Sequence, residues 1–210
     1  MPRDRRPPTE KPSRDVFRLG YIPGATPGKW AHRWHEQRPQ QRLELVALDG
    51  AAQLAAIRSG EVDAAIVRHP VEGDDLHLVT LYDETPVVVM SADSDLTVAD
   101  ELTPADLEGT VVITPRDDVL GPFDLPGTSP ARFDPPETTE DAIAVAATGI
   151  GVVIVPLSLA RLRHRRDVTH RPLQDGPTSS VALAWLRERD DDDVQALVGI
   201  TRGRTSRSSR

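Results

Sequence analysis

Cysteine is absent from the 210 residues. Disulfide frameworks, thiolate metal sites and cysteine nucleophiles are therefore excluded. Aromatic residues make up only 4% of the chain, so its core must be built from aliphatic side chains. Long apolar runs are missing too. No stretch approaches the roughly 20 residues of a membrane-spanning helix, and the polar, proline-rich start lacks the apolar segment of a secretory signal. Positive charge is in the minority: 25 Lys and Arg stand against 33 Asp and Glu, a net charge of −8. That balance weighs against non-specific binding of nucleic acid by the whole chain. These absences lead to the expectation of a cytoplasmic protein with no membrane partner and no direct DNA binding.

What is present suffices for one large domain or two small lobes sharing a chain path. Residues 1–15 are rich in Pro, Arg, Glu and Ser and read as a disordered leader. At Val16 the pattern changes. The segment 16–22 alternates and is β-prone, and a turn at Pro23-Gly24-Ala25 follows. Thr26-Pro27 has the form of a helix start, with Thr26 as the cap and proline at the first helical position. That helix should run to Gln37, with Trp30 and Trp34 on its buried face. The segment 42–48 alternates again. Asp49-Gly50 opens a second helix over 51–59, closed by Gly60, and 62–67 is apolar enough to be covered on both faces. The first 70 residues thus read β-α-β-α-β, the pattern of an open parallel sheet.

Farther on, strands are expected over 76–82 and 85–91, the second long enough to cross between lobes, and a strand over 111–114. A turn-rich region covers 117–136. A helix capped by Thr138, with Asp141 three residues later, ends at Gly149. A buried strand over 151–155 leads through Pro156 into a short helix reaching Arg163, and strands over 168–173 and 180–186 follow. The acidic run 190–193 favours the start of a last helix. The basic tail, 201–210, reads as disordered.

Several ordered strings resemble the effector-binding domain of LysR-type transcriptional regulators. They are Phe17-Arg18-Leu19-Gly20-Tyr21-Ile22-Pro23-Gly24, the Trp30/Trp34 helix, Leu54 through Arg68 with its Gly60 and Asp63-Ala64-Ala65-Ile66, the Leu81–Val89 stretch, and Gly149-Ile150-Gly151 running into Pro156. The resemblance covers about 16–200. It implies an α/β, two-lobed type 2 periplasmic-binding-protein-like fold, each lobe an open mixed sheet flanked by helices. Lobe one would be about 16–85 with 180–200, and lobe two about 86–179. It also implies a small organic ligand, in particular a carboxylate, held between the lobes, and a homodimer. The 15 residues before the first strand are too few for the family's N-terminal winged helix-turn-helix, so the expectation is either a free-standing sensor, which is favoured and could pair with a full-length LysR-type regulator, or a fragment of a longer protein.

In open α/β sheets, ligands lie beyond the carboxyl ends of the strands. Pro23, Gly24, Ala25 and Thr26 follow the first strand there, and the helix start beyond them is suited to an anion, with Lys29 nearby. Arg68 and His69 follow the third strand, and Arg68 is placed to bind a carboxylate through two hydrogen bonds. On the resemblance, Thr114, Thr138 and Thr139 in lobe two contribute polar groups, and Ile154 and Val155 an apolar wall. The plainer readings are that Thr26 only caps a helix and that Arg68 is solvated near Glu72 and Asp74. No cofactor or metal is expected. His32 and His35 have metal-like spacing but no further ligands, and Gly149-Ile150-Gly151 precedes a strand, the wrong context for a dinucleotide. Two rivals to a sensor remain open. One is an enzyme on the same two-lobed fold, with Asp83 and Glu84 as acid and base. The other is a protein-interaction module whose cleft is filled by bulky side chains.

Overall fold

In a computed structural model of the chain, residues 15–203 are described. The leader 1–14 and tail 204–210 lie outside the described residues. The elements run β1 (Val16–Tyr21), α1 (Gly28–Gln37), β2 (Arg42–Ala47), α2 (Gln53–Arg58), β3 (Ala64–Arg68), β4 (Leu76–Glu84), β5 (Pro86–Ser91), β6 (Val111–Val112), β7 (Ser129–Pro130), α3 (Thr139–Ala146), β8 (Val153–Pro156), α4 (Leu157–Leu162), β9 (Val168–Pro172), β10 (Ser179–Leu186) and α5 (Asp192–Thr201).

Two sheets organise them. The first has the order β2-β1-β3-β10-β4. β1 runs parallel to β2 and β3, as the opening β-α-β-α-β pattern requires, and β10 returns antiparallel between β3 and β4. Phe17, Leu19, Trp34, Leu183 and Trp185 pack on one face of this sheet with Val194, Leu197 and Ile200 of α5. On the other face, Leu48, Ala56, Ile57 and Val62 pack against Ala65, Val67, Ala182 and Ala184. All five residues of β3 are buried, because helices cover both its sides. The second sheet has the order β8-β5-β9 and is antiparallel. Val87 and Val89 face Ile143, Val153 and Leu159, while Val88 and Met90 face Leu102, Leu107 and Leu173.

Local chemistry accounts for most boundaries. Thr138 Oγ1 accepts from Asp141 N at 3.1 Å and starts α3. Asp191 accepts from Val194 N at 3.1 Å and starts α5. Gly60 closes the α2 turn at φ +73°, a conformation that costs glycine little.

Three expectations are corrected. Thr26 does not cap α1: the helix's first carbonyl is that of Pro27, which accepts from Trp30 N and Ala31 N, and proline has no side-chain acceptor to offer. The strand expected over 111–114 has only two paired residues, Val111–Val112, because its neighbours are the two-residue β7 and a single bridge from Val112 to Val152. β5 does not itself cross between the sheets. β4 belongs wholly to the first and β5 wholly to the second, so the chain crosses at Thr85. It returns between Pro172 of β9 and Ser179 of β10.

Candidate functional site

The crossing at Thr85 borders a cleft between the two halves, with a volume of about 600 Å³. From the five-stranded half it is lined by Tyr21 at the end of β1, by the turn Pro23-Gly24-Ala25-Thr26 and by Tyr82, Asp83 and Glu84 of β4, and Thr85 lines it at the crossing. From the three-stranded half come Leu157, Ser158, Arg161 and Leu162 of α4. The turn is closed by Ala25 N donating to Ile22 O at 3.1 Å. Gly24 sits at φ +86°, and a Cβ there would stand 2.6 Å from Ser158 Oγ. Glycine is needed both for the backbone conformation and for the close approach of the two halves.

Beneath the turn is a buried polar knot. Arg68 Nε donates to Glu84 Oε2 at 2.7 Å, and its Nη2 to Glu84 Oε1 at 3.3 Å, with side chains 5% and 3% exposed. The same Nη2 lies 3.3 Å from the Pro23 carbonyl. Ser179 Oγ donates to Glu84 Oε2 at 3.2 Å, and Ser158 Oγ donates to Oε1. Glu84 is thus held by Arg68 of β3, Ser179 of β10 and Ser158 of α4. Asp83, its neighbour, accepts from Ser180 Oγ and is exposed. Adjacent strand residues point to opposite faces, so the two carboxylates do not converge on one atom.

The remaining lining is largely apolar, with hydroxyls and one cation. Burial pushes the Tyr82 phenol up, Glu84 adds to this, and Arg68 opposes it. Tyr82 therefore stays a neutral hydrogen-bond donor. Arg161 is exposed and is the cation lining the cleft; it has no carboxylate partner among the described residues. His170, behind it on β9, is pushed down by burial and then by the charges of Arg161, Arg171 and His164.

Of the ligand-site residues expected from sequence, Pro23, Gly24, Ala25 and Thr26 line the cleft and the others do not, while Asp83 and Glu84 of the enzyme reading also line it. The guanidinium of Arg68 is already engaged by a carboxylate of the chain's own. His69 is half-buried, and its backbone N–H donates to Ser180 O at 2.9 Å. Thr114 is exposed elsewhere. Thr138 serves α3 as its cap, and Thr139 is buried with its hydroxyl on Asp117 at 2.9 Å. Ile154 and Val155 do not form a cleft wall: they point to opposite faces of the second sheet, Ile154 into the Val88–Leu107 core and Val155 into the Val87–Ile143 core. Sequence reasoning missed Tyr21, Tyr82, Leu157, Ser158, Arg161 and Leu162. A faint signal existed in α4, where Leu157 and Arg161, and Ser158 and Leu162, stand four apart and so share faces. Among the described residues no group of three or more His, Asp or Glu could hold a metal ion. His32 instead pairs with Glu36 at 3.3 Å on the exposed side of α1.

The family model described as the LysR substrate binding domain matches residues 11–206. The Hca operon transcriptional activator HcaR of Escherichia coli (strain K12) is 25% identical over 200 residues, covering 89% of this chain and 67% of that protein. The HTH-type transcriptional regulator CatR of Pseudomonas putida is 29% identical over 191 residues, covering 86% of this chain and 64% of that one. The chain therefore spans about two thirds of the length of the curated regulators it matches. Among solved structures, the BenM effector binding domain with its effector benzoate superimposes with a TM-score of 0.72 at 19% identity, covering 90% of both chains. The reduced form of the OxyR regulatory domain from Pseudomonas aeruginosa gives 0.66 at 22% identity, covering 89% of this chain and 96% of that one. These likenesses confirm the two-lobed, type 2 periplasmic-binding-protein-like fold read from the sequence. By its fold and by the family model that spans nearly its whole length, the chain belongs to the LysR substrate-binding domain family.

Proposed function

We propose that this chain senses a small organic carboxylate, which it binds between two lobes without chemical turnover. The lobes are 16–85 with 180–200, and 86–179. The observation that carries the reading is the open cleft of about 600 Å³, lined from both halves and by the chain crossing at Thr85. A ligand there touches both lobes and so binds one lobe arrangement better than another, which is what a sensor requires. The open volume also speaks against a cleft filled by bulky side chains.

The carboxylate partner in this proposal is Arg161, since Arg68 is already engaged by Glu84. Arg161 presents a planar fork suited to a carboxylate, and Leu157, Leu162, Tyr21 and Tyr82 offer apolar and aromatic surface for the rest of the molecule. An enzymatic role for Asp83 and Glu84 is disfavoured. Glu84 is locked by a guanidinium and two hydroxyls, and Asp83 is held separately by Ser180. In this reading the domain works in the cytoplasm as a homodimer or beside a full-length LysR-type regulator, and the residues described here make no DNA contact of their own.

The test is a thermal-unfolding screen against benzoate, other aromatic acids, aliphatic diacids and amino acids. A ligand at 100 times its Kd adds about 2.7 kcal/mol, a rise of roughly 5–10 °C for a chain of this size. The expected result is a hit among the acids that Arg161→Ala abolishes. No shift with any acid, or a hit indifferent to Arg161→Ala, refutes the carboxylate assignment.

A further inference from the structure

We infer that Glu84 is the clasp between the two lobes and that Ser158 is the group it releases when they separate. The inference concerns the regulation of the cleft described above and rests on that reading, with each lobe taken here as its sheet, so that Ser179, the first residue of β10 and paired with Glu84 of β4, counts with lobe one. Its evidence lies in which residues meet. Glu84 is the last residue of β4, one residue before the crossing at Thr85. Ser179, which donates to it, is the first residue of β10, where the chain has just returned. Both chain crossings therefore end on the same carboxylate.

On the lobe-one side that carboxylate is fixed. Arg68 holds both its oxygens and Ser179 holds Oε2, all within one sheet. On the lobe-two side its one side-chain tie among the described residues is the hydroxyl of Ser158. The backbone beside this tie is shared as well, with Leu157 N donating to Thr85 O at 2.9 Å. Across the cleft wall, Gly24 closes against Ser158. An opening motion that keeps each sheet intact must break the Ser158 bond and can leave the Arg68 and Ser179 bonds in place.

Glu84 and Ser158 both line the cleft. A molecule bound there meets the two groups whose separation defines the lobe arrangement. Occupation and opening are thereby coupled at one hydrogen bond, with no relay needed through either core. A hydrogen bond to a charged acceptor in a buried setting is among the stronger ties a hinge can have.

The absence of native cysteine makes the test clean. Arg33→Cys on α1 and Val98→Cys, which is 90% exposed on lobe two, give the full chain one spin label per lobe. Inter-lobe distances are then read by electron paramagnetic resonance with no ligand added. Ser158→Ala in this background is expected to shift the open-to-closed ratio about tenfold, equivalent to about 1.4 kcal/mol, and to broaden the distance distribution. Ser179→Ala removes a bond to the same carboxylate but within lobe one, and should leave the distribution as in the parent. An unchanged distribution in Ser158→Ala overturns the inference. So does an equal broadening in Ser179→Ala, which would mean general loosening. Because no ligand is added, the result stands apart from the carboxylate screen: a Ser158-dependent distribution with no acid hit keeps the clasp and removes the ligand, and the converse removes the clasp alone.

Discussion

Replacing Arg68 by alanine should destabilise the ligand-free chain severely, and the structure sets the size of the effect. Glu84 is 3% exposed, and Arg68 supplies two of its four hydrogen bonds and all of its countercharge. Breaking a buried pair by removing one partner costs about 3–5 kcal/mol, chiefly because the other charge is left uncompensated. Against a total stability of about 5–15 kcal/mol, that is a large share, and at about 2–4 °C per kcal/mol the midpoint should fall by roughly 6–20 °C. Urea or thermal unfolding followed by tryptophan fluorescence suits the measurement, since Trp30, Trp34 and Trp185 all pack in the core of the half that holds Arg68. The cycle is completed by Arg68→Met, Glu84→Leu and the double variant. With both charges gone the desolvation cost disappears, so the double variant should be more stable than either single, with a coupling of about 2 kcal/mol or more. If Arg68 were instead a ligand-binding residue idle in the free protein, its removal would be nearly neutral. A loss under about 1 kcal/mol, or a double variant no better than the worse single, would refute the argument.

Two further predictions concern caps and pH. Thr138→Ala should cost about 1 kcal/mol because its hydroxyl caps α3, whereas Thr26→Ala should stay within about 0.5 kcal/mol because Thr26 is exposed and caps nothing; paired urea titrations decide, and equal losses would contradict the observed helix start. His170 has its pKa lowered in the fold, so the unfolded chain takes up the proton first as pH falls below about 6.5. Stability should therefore decline on acidification from that point, and His170→Gln should flatten the decline between pH 6.5 and 5; an unchanged slope in the variant would dismiss the assignment.

The enzyme and sensor readings of Asp83 and Glu84 illustrate how little a pair of adjacent carboxylates says in sequence. Their meaning came from their partners. One is enclosed by Arg68, Ser158 and Ser179, and the other, exposed, meets Ser180. The same arrangement reassigns the cation of the cleft from Arg68 to Arg161, two residues whose local sequence contexts do not distinguish their roles.

The sequence by itself determined the elements whose causes are local. The opening β-α-β-α-β order follows from apolar alternation and from Gly60, the starts of α3 and α5 from Thr138 and Asp191, and the aliphatic core from the scarcity of aromatics. The turn Pro23-Gly24-Ala25-Thr26 was legible as cleft lining because the end of a parallel strand is where such folds open. Only the tertiary structure decided the rest. Glu84 lies 16 residues from Arg68, 74 from Ser158 and 95 from Ser179, and no periodicity links them. They meet because β10 enters between β3 and β4 and because α4 abuts the β1 turn. Ile154 and Val155 show the same limit from the other side. Alternation marks a strand as buried, but whether a face meets a cleft or a packed core depends on what the rest of the chain lays over it, and for β8 that is core on both sides.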